Sequence, residues 1–86
     1  MTLRPYGFEP KQMTCPKKTF YLVVENRSGI KDITLRLDRV GGDRLHEAPV
    51  KKRNQTWIEK CDLPPGSYRL NVAEHPDWIC DITITP

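Results

Sequence analysis

Five side chains of this 86-residue chain could ligate a metal ion or react as thiols: His46, His75, Cys15, Cys61 and Cys80. Imidazole and thiolate groups are the ligands that copper and zinc prefer. No two cysteines have the spacing of a zinc knuckle or of a Cys-x-x-Cys redox pair, and three thiols cannot all pair within one chain. We therefore expect no metal site. The alternative is a site around His75, joined by His46 if distant loops converge.

Patterns that would support catalysis are missing as well. The chain has no Ser-His-Asp grouping, no glycine-rich phosphate cradle and no pair of carboxylates beside a histidine. It is therefore not expected to be an enzyme.

Length and composition indicate one domain that spans residues 1–86, because a compact core needs most of a chain this short. Hydrophobic content of 37% and charged content of 29% are typical of soluble globular proteins. No apolar run approaches the roughly 20 residues of a membrane helix, so no membrane span is expected. The first residues lack the pattern of a signal peptide. The expected location is the cytoplasm, or the periplasm or exterior if a leader has been removed.

Positive charge is concentrated in the run KKR, which comprises Lys51, Lys52 and Arg53, although the net charge is only +3. No stacking platform of aromatic and arginine side chains accompanies the run, so a nucleic-acid partner is not expected. The surrounding segment VKKRNQ, Val50 to Gln55, favours an acidic partner instead, through an attraction that weakens as salt is raised. These three residues are candidate binding residues.

Alternation of apolar and polar residues, the pattern of a half-buried strand, recurs in five segments. Turn residues separate the segments, and none has a sustained helical period. Eight prolines spread along the chain make a long helix unfavourable. The sequence predicts an all-β protein, folded as a Greek-key β-sandwich of about seven strands with an undetermined oligomeric state.

The alternation also predicts which face of each strand is buried. The expected core residues are Phe20, Leu22, Val24, Ile33, Leu35, Leu37, Tyr68, Leu70, Val72, Trp78, Ile82 and Ile84. Glu59 shares the inward face of another strand with Trp57 and Cys61, and because a buried carboxylate is unfavourable, that strand is expected near an edge. The segment 41–55 is expected to be less protected than the core.

Four short patterns follow one another along the chain. They are an aromatic-x-Pro start at Phe8 to Pro10, an apolar strand ending in Asn26, a Pro-Gly-x-Tyr strand start at Pro65 to Tyr68, and a His-Pro pair at His75 before the last strand. In this order they resemble the cupredoxin-like family, the β-sandwich domain of small blue copper proteins. The resemblance covers about Tyr6 to Pro86 and implies the cupredoxin-like fold.

The resemblance also implies a copper site, in which a cysteine, two histidines and a weak axial ligand hold the metal. In the family, one histidine follows the strand that ends in asparagine, and a Cys-x-x-His pair with a later methionine occupies the last loop. Here no histidine follows Asn26 before Leu37. His75 matches the second histidine, but Val72 stands at the cysteine position and Trp78 at the methionine position.

We therefore expect a copper-free member of the family with a structural or protein-interaction role. The alternative is a metal-binding or electron-transfer protein with a variant copper site around His75. In a copper-free member, three loops at the former metal end could bind a partner: Asn26 to Lys31, Pro64 to Ser67, and Glu74 to Trp78. Trp78 could serve there as an aromatic anchor. It could instead be the first inward residue of the last strand, with His75 packed against it.

In the cupredoxin topology Cys15 and Cys80 can lie close together, and they are the expected partners if the protein occupies an oxidising compartment. Free thiols are favoured nevertheless. Cys80 points inward in the predicted register, whereas Cys15 precedes Pro16 in a predicted turn.

Overall fold

The computed structural model describes residues 1–86 and contains nine β-strands and no helix. The strands are β1 (Thr2–Arg4), β2 (Gly7–Glu9), β3 (Gln12–Pro16), β4 (Phe20–Asn26), β5 (Ile33–Arg39), β6 (Arg44–Val50), β7 (Thr56–Cys61), β8 (Gly66–Val72) and β9 (His75–Thr85). The all-β prediction is confirmed, and the prediction of about seven strands is wrong. The alternating segments are β4, β5, β7, β8 and β9. With no helix present, none could cross a membrane.

The strands form two mixed sheets that pack face to face without closing into a barrel. A four-stranded sheet has the order β2-β1-β4-β7, and a five-stranded sheet has the order β3-β9-β8-β5-β6. Strand β1 runs parallel to β4, and β3 runs parallel to β9, while the other neighbours are antiparallel. The edge strands are therefore β2 and β7 in one sheet and β3 and β6 in the other.

The inward faces of both sheets form one hydrophobic core. Every predicted core residue is buried except Phe20, the first residue of β4, which is partly buried and packs against the core. Leu3 and Phe8, from the two short N-terminal strands, also belong to it, as do Val50, Cys61, Leu63 and Cys80. Glu59 lies on β7, which is an edge strand. The sequence predicted an edge for this strand because the Glu59 carboxylate is on its inward face.

Strand β6 lies in the segment 41–55, where the sequence showed no alternation. It pairs only with β5, and Pro49 sits opposite Thr34. Proline has no N–H to donate, and it is tolerated in an edge strand because one side of that strand needs no partner.

The turn expected at His75 to Asp77 is displaced. The chain turns at Ala73 and Glu74, and β9 begins at His75. Val72 pairs with His75, whereas Asn71 pairs with Ile79, so the intervening residues 76–78 bulge out of the ladder. The bulge keeps the inward residues of β9 in register with β8.

Three loops meet at the end of the sandwich where β4 finishes, which we term the Asn26 end: residues 27–32, 51–55 and 73–74. Ile33 pairs with Val50 there, and the Ala73 N–H donates to the Thr34 carbonyl. The loop Pro64 to Ser67 was expected at this end and lies at the opposite one, where Gly66 pairs with Ile84 at the far end of β9. The loop 51–55, which contains the KKR run, lies at the Asn26 end instead, because β6 ends there and the loop follows it directly.

Candidate binding surface

Four cationic side chains surround an open concavity at the Asn26 end. Its lining residues are Lys31, Lys51, Lys52, Arg53, Asn54 and Gln55, and its volume is about 560 Å³. We call this feature the basic concavity. All four cations are exposed, and no carboxylate lines the concavity. A surface with charge of one sign attracts an oppositely charged partner.

The loop that carries Lys51 and Lys52 is held in one shape by Gln55. The side-chain oxygen of Gln55 accepts hydrogen bonds from the N–H groups of Lys51, at 3.1 Å, and Lys52, at 3.3 Å. The Gln55 N–H in turn donates to the Lys52 carbonyl at 3.3 Å. Because the loop is ordered before a partner arrives, less conformational entropy is lost on binding.

Asn26 ties the two loops of the concavity together. Its side chain is 2% exposed, and Nδ2 donates to the carbonyls of Ile30, at 2.9 Å, and Lys52, at 3.2 Å. Oδ1 accepts hydrogen bonds from the Ser28 hydroxyl, at 2.7 Å, and the Ser28 N–H, at 3.2 Å. These bonds fix the 27–32 loop against the 51–55 loop. They thereby place Lys31 beside the KKR run.

The cations of the basic concavity have no ion-pair partner within 4.0 Å. The outer face of the five-stranded sheet is different, because its charges satisfy one another. Arg36 contacts Glu47 at 2.7 Å, and Arg69 contacts Asp81 at 2.9 Å. The concavity therefore gathers four unpaired cations in one place, where they are available to a partner.

Glu74, the carboxylate on the 73–74 turn, holds strand β5 instead of neutralising the concavity. Its two oxygens accept hydrogen bonds from the Thr34 N–H, at 2.7 Å, and the Thr34 hydroxyl, at 2.9 Å. Partial burial acts to raise the pKa of Glu74, but the hydrogen bonds and the charge of Arg36 lower the pKa overall. The hydrogen bonds of the ionised carboxylate thus connect the β8–β9 turn to β5.

His75 stacks on Trp78, with ring centroids 4.0 Å apart and ring planes 11° from parallel. Trp78 is 6% exposed and belongs to the core, so it does not present the aromatic anchor considered from the sequence. Gly7, at a φ of +125°, lies against the indole, and a Cβ there would be 3.6 Å from Trp78 Cδ1. His75 and Trp78 form a packed corner of the sandwich and not an open binding surface.

His46 lies far from His75. Its side chain contacts Glu59 across the edges of the two sheets, with Nδ1 2.9 Å from Oε1. Strands β5 and β8 separate β6 from β9, and three strand spacings amount to about 14 Å. The structure therefore does not bring the two candidate metal ligands together. No group of three or more His, Cys, Asp or Glu side chains is arranged to hold a metal ion.

The two residues that the resemblance would place at copper-ligand positions have buried apolar side chains. Val72, at the cysteine position, is fully buried, and Trp78, at the methionine position, is in the core. Neither side chain can donate a lone pair to copper. His75 alone, stacked on an indole, does not fit the thiolate and two imidazoles of a type 1 centre.

All three cysteines are free thiols. Cys15 on β3 pairs with Ile84 of the neighbouring parallel strand β9, four residues from Cys80. Four residues of strand span about 13 Å, well beyond the roughly 4.4 to 6.8 Å between Cα atoms that a disulfide requires. A Cys15–Cys80 bond is therefore incompatible with this register, and free thiols are the correct prediction.

We expect iodoacetamide to modify Cys15 in the native protein and to reach Cys61 and Cys80 only after denaturation. Cys15 is partly exposed, whereas the other two thiols are buried. Burial, together with the charge of Glu59, raises the pKa of Cys61, and burial together with Asp81 raises the pKa of Cys80 to about 11. Mass spectrometry of alkylated peptides measures each site. Native labelling of Cys80 as fast as Cys15 would contradict the register of β9.

The raised pKa of Cys80 predicts that the protein loses stability at alkaline pH. Folding raises the pKa of Cys80 above the ordinary thiol value of 9.0, so its contribution to stability is complete below pH 9. The contribution is lost as the pH rises from 9.0 through about 11, because the unfolded thiol ionises first. Denaturant midpoints measured across this range should fall more in the native protein than in Cys80→Ala.

The sequence placed Lys31 in one candidate binding loop, Asn26 to Lys31, and the KKR run in a separate one, Val50 to Gln55; it did not predict that the two loops meet, nor that the side chains of Asn26 and Gln55 hold them. Lys31 is an isolated cation in the sequence and joins the run only because two loops meet at one end. The run NRSG contained a signal for Asn26, since an asparagine before Ser and Gly often accepts hydrogen bonds from the backbone of its own turn. Gln55 had no such signal.

Comparison with known proteins gives no relative from which a function could be transferred. No family model matches the chain, and no curated protein matches it significantly.

Proposed function

We propose that the chain is a copper-free, cupredoxin-like Greek-key module that binds an acidic protein partner through the basic concavity and catalyses no reaction. The observation that carries the proposal is the set of four unpaired cations on two loops that hydrogen bonds hold together. The two mixed sheets and the order of sequence patterns support the fold assignment. The apolar side chains at Val72 and Trp78 support the absence of copper.

An acidic protein segment suits the concavity better than other anions do. Lys31, Lys51 and Lys52 present point charges, and Arg53 adds a planar guanidinium that can bind a carboxylate through two hydrogen bonds. A short run of Asp or Glu side chains could place one carboxylate near each cation. The open shape admits an extended chain or a loop of a folded partner.

Single-stranded nucleic acid is the less suitable anion. Proteins that bind it without sequence preference combine a basic groove with aromatic side chains on which bases stack. No aromatic residue lines the basic concavity, and Trp78 is in the core. Bases would therefore find charge but no stacking surface.

The double variant Lys51→Glu and Lys52→Glu is expected to weaken binding of a short poly-glutamate peptide at least about tenfold. A surface ion pair contributes up to about 1 kcal/mol, so the loss of two pairs removes up to about 2 kcal/mol, compared with the 1.4 kcal/mol that corresponds to a factor of ten. The two new glutamates also repel the carboxylates of the peptide. Isothermal titration calorimetry at low salt measures the affinity. Raising the ionic strength to about 0.5 M should weaken wild-type binding, because the Debye length shortens.

The matched control is Lys11→Glu with Lys18→Glu, which changes the net charge equally but lies outside the concavity. It should retain most of the affinity. Equal losses in the two double variants would show that only net charge matters and would contradict a defined site. Stronger binding of a single-stranded oligonucleotide than of the acidic peptide would contradict the partner class.

A further inference from the structure

Strand β7 leaves one backbone edge of the four-stranded sheet without a partner. It has six residues, pairs only with β4, and shows no bulge in that pairing. The other edges are interrupted by proline: β6 contains Pro49, β3 ends at Pro16, and the three-residue β2 is followed by Pro10. Proline, bulges and shortness are the usual means of preventing edge-to-edge pairing. Strand β7 has no proline and no bulge and is twice as long as β2; its only charged residues are Glu59 and Lys60.

The outer face beside this edge is apolar. Ile58 of β7 is 59% exposed and pairs with Val23 of β4, and Tyr21 on the same face is 65% exposed. Glu59 points inward, and an inward charge at an edge can itself prevent pairing. Here, however, His46 contacts it at 2.9 Å, so the carboxylate is already satisfied inside its own molecule.

We infer that β7 pairs with β7 of a second copy of this chain, in antiparallel orientation, to form a two-fold symmetric dimer with one continuous eight-stranded sheet. Two-fold pairing of identical strands is an isologous contact, in which residue i meets residue j and j meets i. This interaction does not involve the basic concavity and does not depend on the proposed function.

The sequence of β7 selects one register for this pairing. Residues that face each other across two antiparallel strands point to the same side of the sheet. In a pair of identical strands, facing residues are therefore an even number of positions apart. One residue must then face its own copy, and the two-fold axis passes through that residue. An axis at Glu59 would place two carboxylates opposite each other, which is destabilising. An axis at Trp57 would shorten the ladder. An axis at Ile58 pairs the whole segment from Thr56 to Lys60.

In the register centred on Ile58, the outer face is complementary. Ile58 meets its own copy between the two Val23 side chains, which gives an apolar stripe across four strands. Trp57 lies opposite the Glu59 of the second copy. Lys60, which has no ion pair within the chain, lies opposite Thr56, whose other neighbour is Glu25. Because threonine is short, the Lys60 ammonium can reach over it to Glu25 of the second copy, which within its own chain forms an ion pair only with Arg27, at 3.9 Å. Charge complementarity therefore favours a second copy as the occupant of this edge.

Sedimentation equilibrium over rising protein concentration tests the inference. The wild-type molar mass should rise from 10.0 kDa towards twice that value. Ile58→Lys should remain at the monomer mass, because it places two ammonium groups at the two-fold axis. Val40→Lys, at an apolar residue with 53% exposure outside β7, should dimerise like the wild type. A wild type that stays monomeric throughout, or an Ile58→Lys variant that still dimerises, would overturn the inference.

A cross-linking experiment tests the register. In a Cys15→Ser background, Ile58→Cys should form a disulfide-linked dimer under mild oxidation, because facing residues have Cα separations of about 4.5 to 5.5 Å. Val40→Cys in the same background should cross-link much more slowly. Equal rates for the two variants would overturn the register centred on Ile58.

Discussion

Replacement of Leu35 by alanine is expected to lower the free energy of unfolding by about 2 to 5 kcal/mol. Leu35 is 1% exposed and lies on β5, with Ala48 of β6 on one side and Val72 of β8 on the other. A cavity in this position cannot be filled easily, because both neighbouring strands are fixed by their ladders. The loss would be a large part of the roughly 5 to 15 kcal/mol that stabilises a typical domain.

Denaturant unfolding followed by tryptophan fluorescence measures this change. The control is Val40→Ala, a shortening of an aliphatic side chain at an exposed position, which should alter stability by no more than about 0.5 kcal/mol. Similar effects of the two substitutions would mean that β5 does not present Leu35 to the core.

Replacement of Asn26 by alanine is expected to lower the free energy of unfolding by about 1 to 3 kcal/mol and to loosen the basic concavity. The substitution removes the side-chain donor of the Ile30 carbonyl, leaves the Lys52 carbonyl with only the Gln55 N–H, and leaves the Ser28 hydroxyl without its acceptor. Faster hydrogen exchange of the Ser28 and Ile30 amides would report the loosening. Binding of the acidic peptide should weaken although no cation has been removed.

The variant Asn26→Asp distinguishes the role of the Nδ2 group, which donates hydrogen bonds, from the role of Oδ1, which accepts them. Aspartate keeps an oxygen for Ser28 but cannot donate to the two carbonyls, and it sets a carboxylate against them. It should therefore destabilise the protein at least as much as alanine does. Asn54→Ala, in the same concavity but without a side-chain hydrogen bond, is the control and should have little effect on stability. If Asn26→Asp matched the wild type, the link between the loops would be unimportant.

The strands that sequence reasoning identified are those whose burial is one-sided and whose length reveals alternation. Strands β5 and β8 are interior strands of the larger sheet, and their inward residues were predicted without error. Strands β1 and β2 have three residues each, too few for a period to be visible. Strand β6 was missed because Pro49 and several charges are compatible with an edge strand but are also typical of a loop.

The candidate site was predictable only in its contiguous part. The run from Lys51 to Arg53 is visible in the sequence, whereas its approach to Lys31 results from two loops that cross between the sheets at the same end. Pro64 to Ser67 shows the converse error, since a turn motif indicates a change of direction but not the end of the sandwich at which it occurs. Burial of Trp78 followed correctly from alternation in β9, and its packing on His75 was also anticipated.

An amide NMR titration of the isotopically labelled protein with the poly-glutamate peptide tests the central claim most directly. We expect saturable chemical-shift changes at residues 31 and 51–55, with smaller changes at Ser28 and Ile30, whose positions Asn26 fixes. Residues 40–43 and 62–67, at the opposite end, should not shift. Saturable changes centred on that opposite end or on the outer face of β7, with none at residues 51–53, would contradict the claim that the basic concavity is the binding surface.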